Sequence, residues 1–171
     1  ERLGNMTASE AFEPFFKQMG LPALKINEFH DELGNRKISV SSSRYLNTKH
    51  NKLHPQSSFN YVWNVPVVLR ENGTDTFHWI KAGETNEVYE FDISETTVVD
   101  PEANIWMRIN FNQQYIDRVT NLDGKLQARA ISKMLRDHMT FLTEETRDEY
   151  DVDLEKVLSL FSLIDPTEPV A

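Results

Sequence analysis

His50 and His54 stand four residues apart in His50-Asn51-Lys52-Leu53-His54, the spacing at which two imidazoles on one helical face can share a zinc ion. The chemistry fails at the next requirement. Asn51 occupies the position where a metallohydrolase needs a Glu to activate water, and Pro55 follows directly, so the pair reads as two solvated loop histidines. Glu28, His30, Asp31 and Glu32 gather further potential ligands, but they fall where a strand runs into a turn and read as a hydrophilic hairpin tip. Asp151, Asp153 and Glu155 open like a calcium loop, yet Lys156 stands where that loop needs Gly and Ser162 where it needs the bidentate Glu, which excludes it. The sequence contains no H-E-x-x-H, G-x-S-x-G or phosphate-binding glycine loop, and without cysteine it has no thiolate ligand, thiol nucleophile or disulfide. No catalytic, cofactor-binding or metal-ligating residue is assigned.

Two N-glycosylation sequons occur, at Asn5-Met6-Thr7 and Asn72-Gly73-Thr74. With 13 Asn and 23 Ser plus Thr in 171 residues, chance alone supplies roughly 1.7 such triplets, so their number says nothing about secretion. Asn72 is nonetheless well placed, because an Asn-Gly pair between alternating runs belongs at an exposed hairpin tip.

The elements that would position any site are mostly strands. Tyr61, Trp63, Val65, Val67 and Leu69 share one face at the two-residue period, and Glu71-Asn72-Gly73-Thr74 turns the chain into a second alternating run through Phe77, Trp79 and Lys81. Tyr61, Trp63, Phe77 and Trp79 could form a ligand platform, but at strand spacing they read as core. Pro66 lacks an amide donor, which argues against a strand paired fully on both sides. Leu24, Ile26 and Phe29, then Ile38 to Tyr45, Tyr89 to Ile93, Ile105 to Phe111 and a last short strand at Ile116–Val119 bring the total to about seven or eight strands between residues 23 and 120. Ahead of them, Thr7-Ala8-Ser9-Glu10 is a capping box for a helix bearing Ala11, Phe12, Phe15, Phe16 and Met19, kept short or kinked by Pro14 and ended by Gly20. Behind them, Leu126, Ala130, Met134, Leu135, His138 and Leu142 trace one helical stripe, and Leu154, Val157, Leu158, Phe161 and Ile164 a second. The expected fold is mainly β, a two-sheet antiparallel sandwich of immunoglobulin-like type between helical ends. Residues 1–22 form a tail helix, 23–120 the sandwich and 121–171 the first helices of an α-helical domain.

A net charge of -9 without a basic block disfavours nucleic acid and anionic membrane surfaces as partners. No run is long enough to span a membrane, and the first residues lack a signal-peptide pattern. The chain begins at Glu1 without an initiator Met, and the expectation is a segment of something longer.

Phe15-Phe16-Lys17-Gln18-Met19-Gly20-Leu21-Pro22, Arg44-Tyr45-Leu46, Trp63-Asn64-Val65-Pro66-Val67, Trp106-Met107-Arg108-Ile109-Asn110-Phe111-Asn112 and Arg118-Val119 follow one another along the chain. That order of signals resembles the aminopeptidase N family of zinc metallopeptidases. Phe15 replaces the family's usual Trp, Leu21 an aromatic and Ser42 a Gln, and Tyr115-Ile116-Asp117 stands where the family has Gly-Tyr-Tyr, so a divergent member is implied. In that family such residues follow a thermolysin-like catalytic domain and precede a helical C-terminal domain.

The resemblance therefore implies a non-catalytic linker whose partners are the catalytic and helical domains of the same chain. Zinc would reside in the catalytic domain of the full-length protein, with no cofactor in this segment, and the full protein would remove N-terminal residues from peptides. Family habit places it on the extracellular or lumenal side of a membrane, although cytosolic members exist. Two alternatives stand beside this reading: a free-standing β-sandwich interaction module, and a segment of a catalytically inactive relative.

Overall fold

The computed structural model describes residues 5–45, 57–83, 87–102, 106–122, 130–137 and 155. The paired histidines, the Asp151–Asp153 run and the whole second helical stripe lie outside these residues, as do Leu126, His138 and Leu142 of the first. Helix α1 (Ala8–Lys17) is followed by strands β1 (Leu21–His30), β2 (Arg36–Tyr45), β3 (Val62–Glu71), β4 (Thr74–Gly83), β5 (Val88–Asp92), β6 (Val98–Val99) and β7 (Arg108–Phe111), then helix α2 (Gln113–Thr120). One sheet has the order β5-β2-β1-β7 and the other β4-β3-β6. The pairings are antiparallel except β1 with β7, which is parallel. Each hairpin stays within one sheet while the later strands alternate between sheets, which closes the sandwich around a single core.

That core is the stripe predicted from alternation. Trp63, Val65, Val67 and Leu69 of β3 face Leu24 and Ile26 of β1, Ile38 and Val40 of β2, and Ile109 and Phe111 of β7. Tyr61 and Trp63 are buried, but Phe77 and Trp79 point the other way, because their β4 neighbours Ile80 and Ala82 pair with Val65 and Trp63 and take the inner face. The turns follow from side-chain chemistry. Asp31 accepts the amides of Leu33 at 3.0 Å and Asn35 at 2.8 Å, and its hydrogen bonds, chiefly that from the Asn35 side chain, hold its carboxyl below the usual range. Asn72 (φ 48°) and Gly73 (φ 80°) make the mirror-image turn that matches strand twist.

Two elements differ from the sequence reading. Residues Ile116–Val119 are helical, because Asn112 caps α2 by accepting the Tyr115 amide at 3.1 Å and Tyr115, Ile116 and Val119 bury one helical face. Strand β6 is only Val98–Val99, pairing with Leu69 and Arg70, too short to show any alternation. Helical residues 130–137 bury Ala130, Ile131, Met134 and Leu135 in the same core cluster as the sandwich. No helix among the described residues is long and apolar enough to cross a membrane.

Gly83 ends β4 at φ 121°, and a Cβ there would lie 2.0 Å from the Tyr61 carbonyl oxygen and 2.8 Å from the Trp63 ring. Gly83→Ala should destabilise by about 3 kcal/mol through backbone strain and overpacking. Gly34→Ala, where nothing lies within 4 Å, should cost about 1 kcal/mol from its left-handed backbone alone. Urea unfolding of the two variants measures the difference; equal losses would contradict the close approach at Gly83.

Candidate functional site

Along β3 the ladder is complete on one side only. It pairs with β4 from Val62 to Glu71 but with β6 only at Leu69 and Arg70. The amides of Lys81 and Gly83 leave the β3–β4 ladder to bond Tyr89 Oη at 3.1 Å and Ser42 Oγ at 3.1 Å. By the alternation of antiparallel pairs, Trp79 faces outward too, so its partner Pro66 turns its donorless nitrogen toward the open edge. Helix α1 seals that edge. Gln18 donates from Nε2 to the Val62 carbonyl at 3.0 Å and accepts from Ser57 Oγ at 2.7 Å. Asn64 donates from Nδ2 to the Glu10 carbonyl at 3.0 Å. Glu10 O is the helix acceptor left without a partner by Pro14, four residues on, so a proline in α1 and an asparagine in β3 satisfy each other's requirement. At the other end of α1 the reciprocal bonds of Thr7 and Glu10 complete the capping box, and the Thr7 amide holds the Glu10 carboxyl below its ordinary range. The Arg44 guanidinium lies 3.5 Å from the Tyr61 ring centroid and reaches the Met19 carbonyl at 3.4 Å, tying the chain beyond the helix to β2 and β3.

So mounted, α1 divides its apolar residues between two faces. Ala11 and Pro14 are buried with Phe15 half-buried against Trp63, whereas Phe12, Phe16 and Met19 point outward. Phe16 is 73% exposed and meets Trp106, itself 64% exposed, at 6.1 Å between ring centroids. Phe15 reaches the same Trp106 at 6.3 Å. Phe15, Phe16 and Trp106 thus form one joined aromatic cluster, and Phe12 and Met19 are exposed as well.

Glu28 is the residue whose position sequence reasoning missed. It lies inside β1 and is buried, not at a hydrophilic hairpin tip, and it takes the core-facing place while Phe29 faces the opposite side. Its carboxylate accepts from Arg36 Nη1 at 2.5 Å and Arg118 Nε at 2.8 Å. Arg118 Nη1 also donates to the carbonyls of Glu95 at 2.8 Å and Thr97 at 2.7 Å, and Asn112 brackets the Glu28 backbone, accepting its amide at 3.0 Å and donating to its carbonyl at 2.8 Å. The legible signal was Asn112 with Arg118, one on a cap and one on the buried side of α2. His30, exposed, meets Gln114 at 3.1 Å, and Asp31 serves the turn, so the four residues read together in sequence do not converge. Among the described residues no group of three or more His, Asp or Glu could hold a metal. A second buried charge cluster fixes the helical residues 130–137. Lys133 sits 3.3 Å from Asp100 and 2.8 Å from Asp137, while Asp137 also accepts the Ile109 amide at 3.3 Å from the edge of β7. Burial pushes the Tyr115 phenol far up, and its oxygen accepts the Val99 amide at 2.9 Å, which makes it a structural post for β6. Asn5 and Asn72 are both exposed.

Comparison with known proteins gives no matching family model. The chain is similar to a glutamyl aminopeptidase of Bitis rhinoceros, 25% identical over 142 residues, covering 82% of this chain and 13% of that protein. It is similar to an aminopeptidase A of Gloydius brevicauda at 23% over the same span and coverage. An aminopeptidase N of Rattus norvegicus is 26% identical over 106 residues, covering 62% of this chain and 9% of the relative. These relatives support the resemblance to the aminopeptidase N-like family, and the chain spans only about an eighth of the longer matches.

Two outcomes test the site's construction. Asn64→Ala should cost about 1 kcal/mol, and much less when Pro14 is also replaced by Ala, because residue 14 then supplies the missing donor; a double-mutant cycle in urea with no coupling would contradict the pairing. Glu28→Ala should cost about 3–5 kcal/mol by stranding the buried Arg118 guanidinium, while partly exposed Arg36 keeps Glu95, against under about 0.5 kcal/mol for exposed Glu32→Ala. Equal effects would return Glu28 to the hairpin tip.

Proposed function

We propose that these residues are a non-catalytic scaffold within an aminopeptidase-like protein, and that the full-length protein removes N-terminal residues from peptides using zinc held outside this segment. The observation that carries the reading is the exposed apolar face made by Phe12 and Phe16 of α1, with Met19 just beyond the helix and Trp106 against Phe16, on the side of α1 away from its bonds to β3. A face of this kind needs a cover, and relatives of several times this length would have other domains to supply it. The matching segments of Gln18, Gly20, Arg44, Asn64 and Pro66, on which the resemblance rests, converge at the junction that holds α1 in place. On this reading their job is to fix the helix rather than to touch substrate.

The division of labour follows from chemistry. Zinc hydrolysis needs three protein ligands, an open coordination position and a base, and selection of a free amino terminus needs a carboxylate facing the substrate. Glu28, Asp100 and Asp137, the fully buried carboxylates described here, face Arg36, Arg118 and Lys133 instead. The α1 end would abut the catalytic domain, and residues 130–137, locked by Lys133, would set the direction of the helical domain. By family habit the protein would work on the extracellular or lumenal side of a membrane.

The full-length protein should release N-terminal residues from unblocked peptides, lose that activity to a chelator and recover it with zinc, while residues 1–171 alone release none. A full-length protein inert after zinc loading would make this a segment of an inactive relative.

A further inference from the structure

We propose that Asn72 carries an N-linked oligosaccharide and that the tip of the β3–β4 hairpin is therefore a permanently solvent-facing pole of the protein. Asn72, Gly73 and Thr74 form an intact sequon, and the whole tip from Glu71 to Thr76 is exposed. A side chain built at Gly73 would meet nothing within 4 Å, so the space around the turn is open. The Asn72 carboxamide is also oriented. Its Oδ1 accepts from Thr96 Oγ1 at 3.4 Å, and the amide nitrogen, on the opposite side of the group, has no hydrogen-bond partner among the described residues. Asn5 differs in its setting: it lines a shallow groove with Trp79 and Lys81, and the threonine of its sequon, Thr7, is the cap of α1.

The transfer forms a bond between Asn72 Nδ2 and the anomeric carbon of the sugar. The donor is an oligosaccharide carried on a polyisoprenyl pyrophosphate. The sugar–phosphate bond breaks, the amide gives up one proton, and the lipid pyrophosphate leaves. The turn itself is indifferent to the addition, because the positive backbone angles at Asn72 and Gly73 are set by the hairpin and not by the amide nitrogen.

The location has a consequence for assembly. Asn64, where α1 is bonded, lies eight residues back along β3, roughly 27 Å from the tip at strand rise. A glycan at Asn72 would leave the aromatic face of Phe12, Phe16 and Trp106 clear while barring any docking at the tip. The inference rests on passage through the secretory pathway and not on the peptidase reading, since an interaction module bearing the same sequon would be modified alike.

The test is glycopeptide mapping of the full-length protein purified from cells that express it, with amidase release in heavy-oxygen water so that spontaneous deamidation of Asn72-Gly73 is told apart from deglycosylation. The expected result is heavy-oxygen label at residue 72 in the majority of molecules, lost in Thr74→Ala, which removes the sequon and keeps the Asn-Gly turn. Recovery of the peptide containing Asn72 unmodified, or label that persists in Thr74→Ala, would overturn the proposal.

Discussion

Strand β3 has a full partner on one side and almost none on the other, and the architecture around it answers that asymmetry. Pro66 cannot donate toward the open side and β6 reaches only Leu69 and Arg70. Left bare, the edge would expose unpaired carbonyls at Val62 and its neighbours, a template for unwanted strand pairing. Helix α1 covers it through Gln18 and Asn64, and the same geometry turns Phe12, Phe16 and Met19 outward beside Trp106. A local hydrogen-bonding need thus sets the direction of the surface most suited to meeting another domain.

The buried charges act at the other junctions. Glu28 with Arg36 and Arg118 joins β1, β2 and α2, and Lys133 with Asp100 and Asp137 joins the β6 end, β7 and the helical residues 130–137. Such clusters gain little net stability over apolar side chains of the same volume, because desolvation consumes most of the Coulombic attraction. Their geometric demand is strict, however: each carboxylate must meet its cation within hydrogen-bonding distance. We read them as devices that fix which elements meet and at what register, while the apolar core from Trp63 to Phe111 provides the stability.

The sandwich was legible because its inner faces alternate cleanly: Trp63 to Leu69, Leu24 and Ile26, Ile38 and Val40. Periodicity failed where the run was short. Ile116–Val119 offers two apolar positions three residues apart, compatible with strand or helix, and the deciding residue was Asn112 outside the run. It also failed where a polar residue took an inner place, as Glu28 does, because a carboxylate is buried only when cations from distant segments meet it, and Arg118 is ninety residues away. Spacing alone puts the α1 stripe on one face; its division between β3 and solvent depends on Pro14 and Asn64, a pairing that only the tertiary structure reveals.

A scaffold role requires the aromatic face to be covered in the whole protein. Hydroxyl-radical footprinting of full-length protein and of residues 1–171, read at Phe16, Met19 and Trp106, tests it directly. Strong protection of all three in the full-length protein, with Trp63 equally silent in both as a buried control, is what a scaffold seated against its neighbouring domain requires. Equal labelling of Phe16 and Trp106 in the two proteins would contradict it and leave the face open for some other partner.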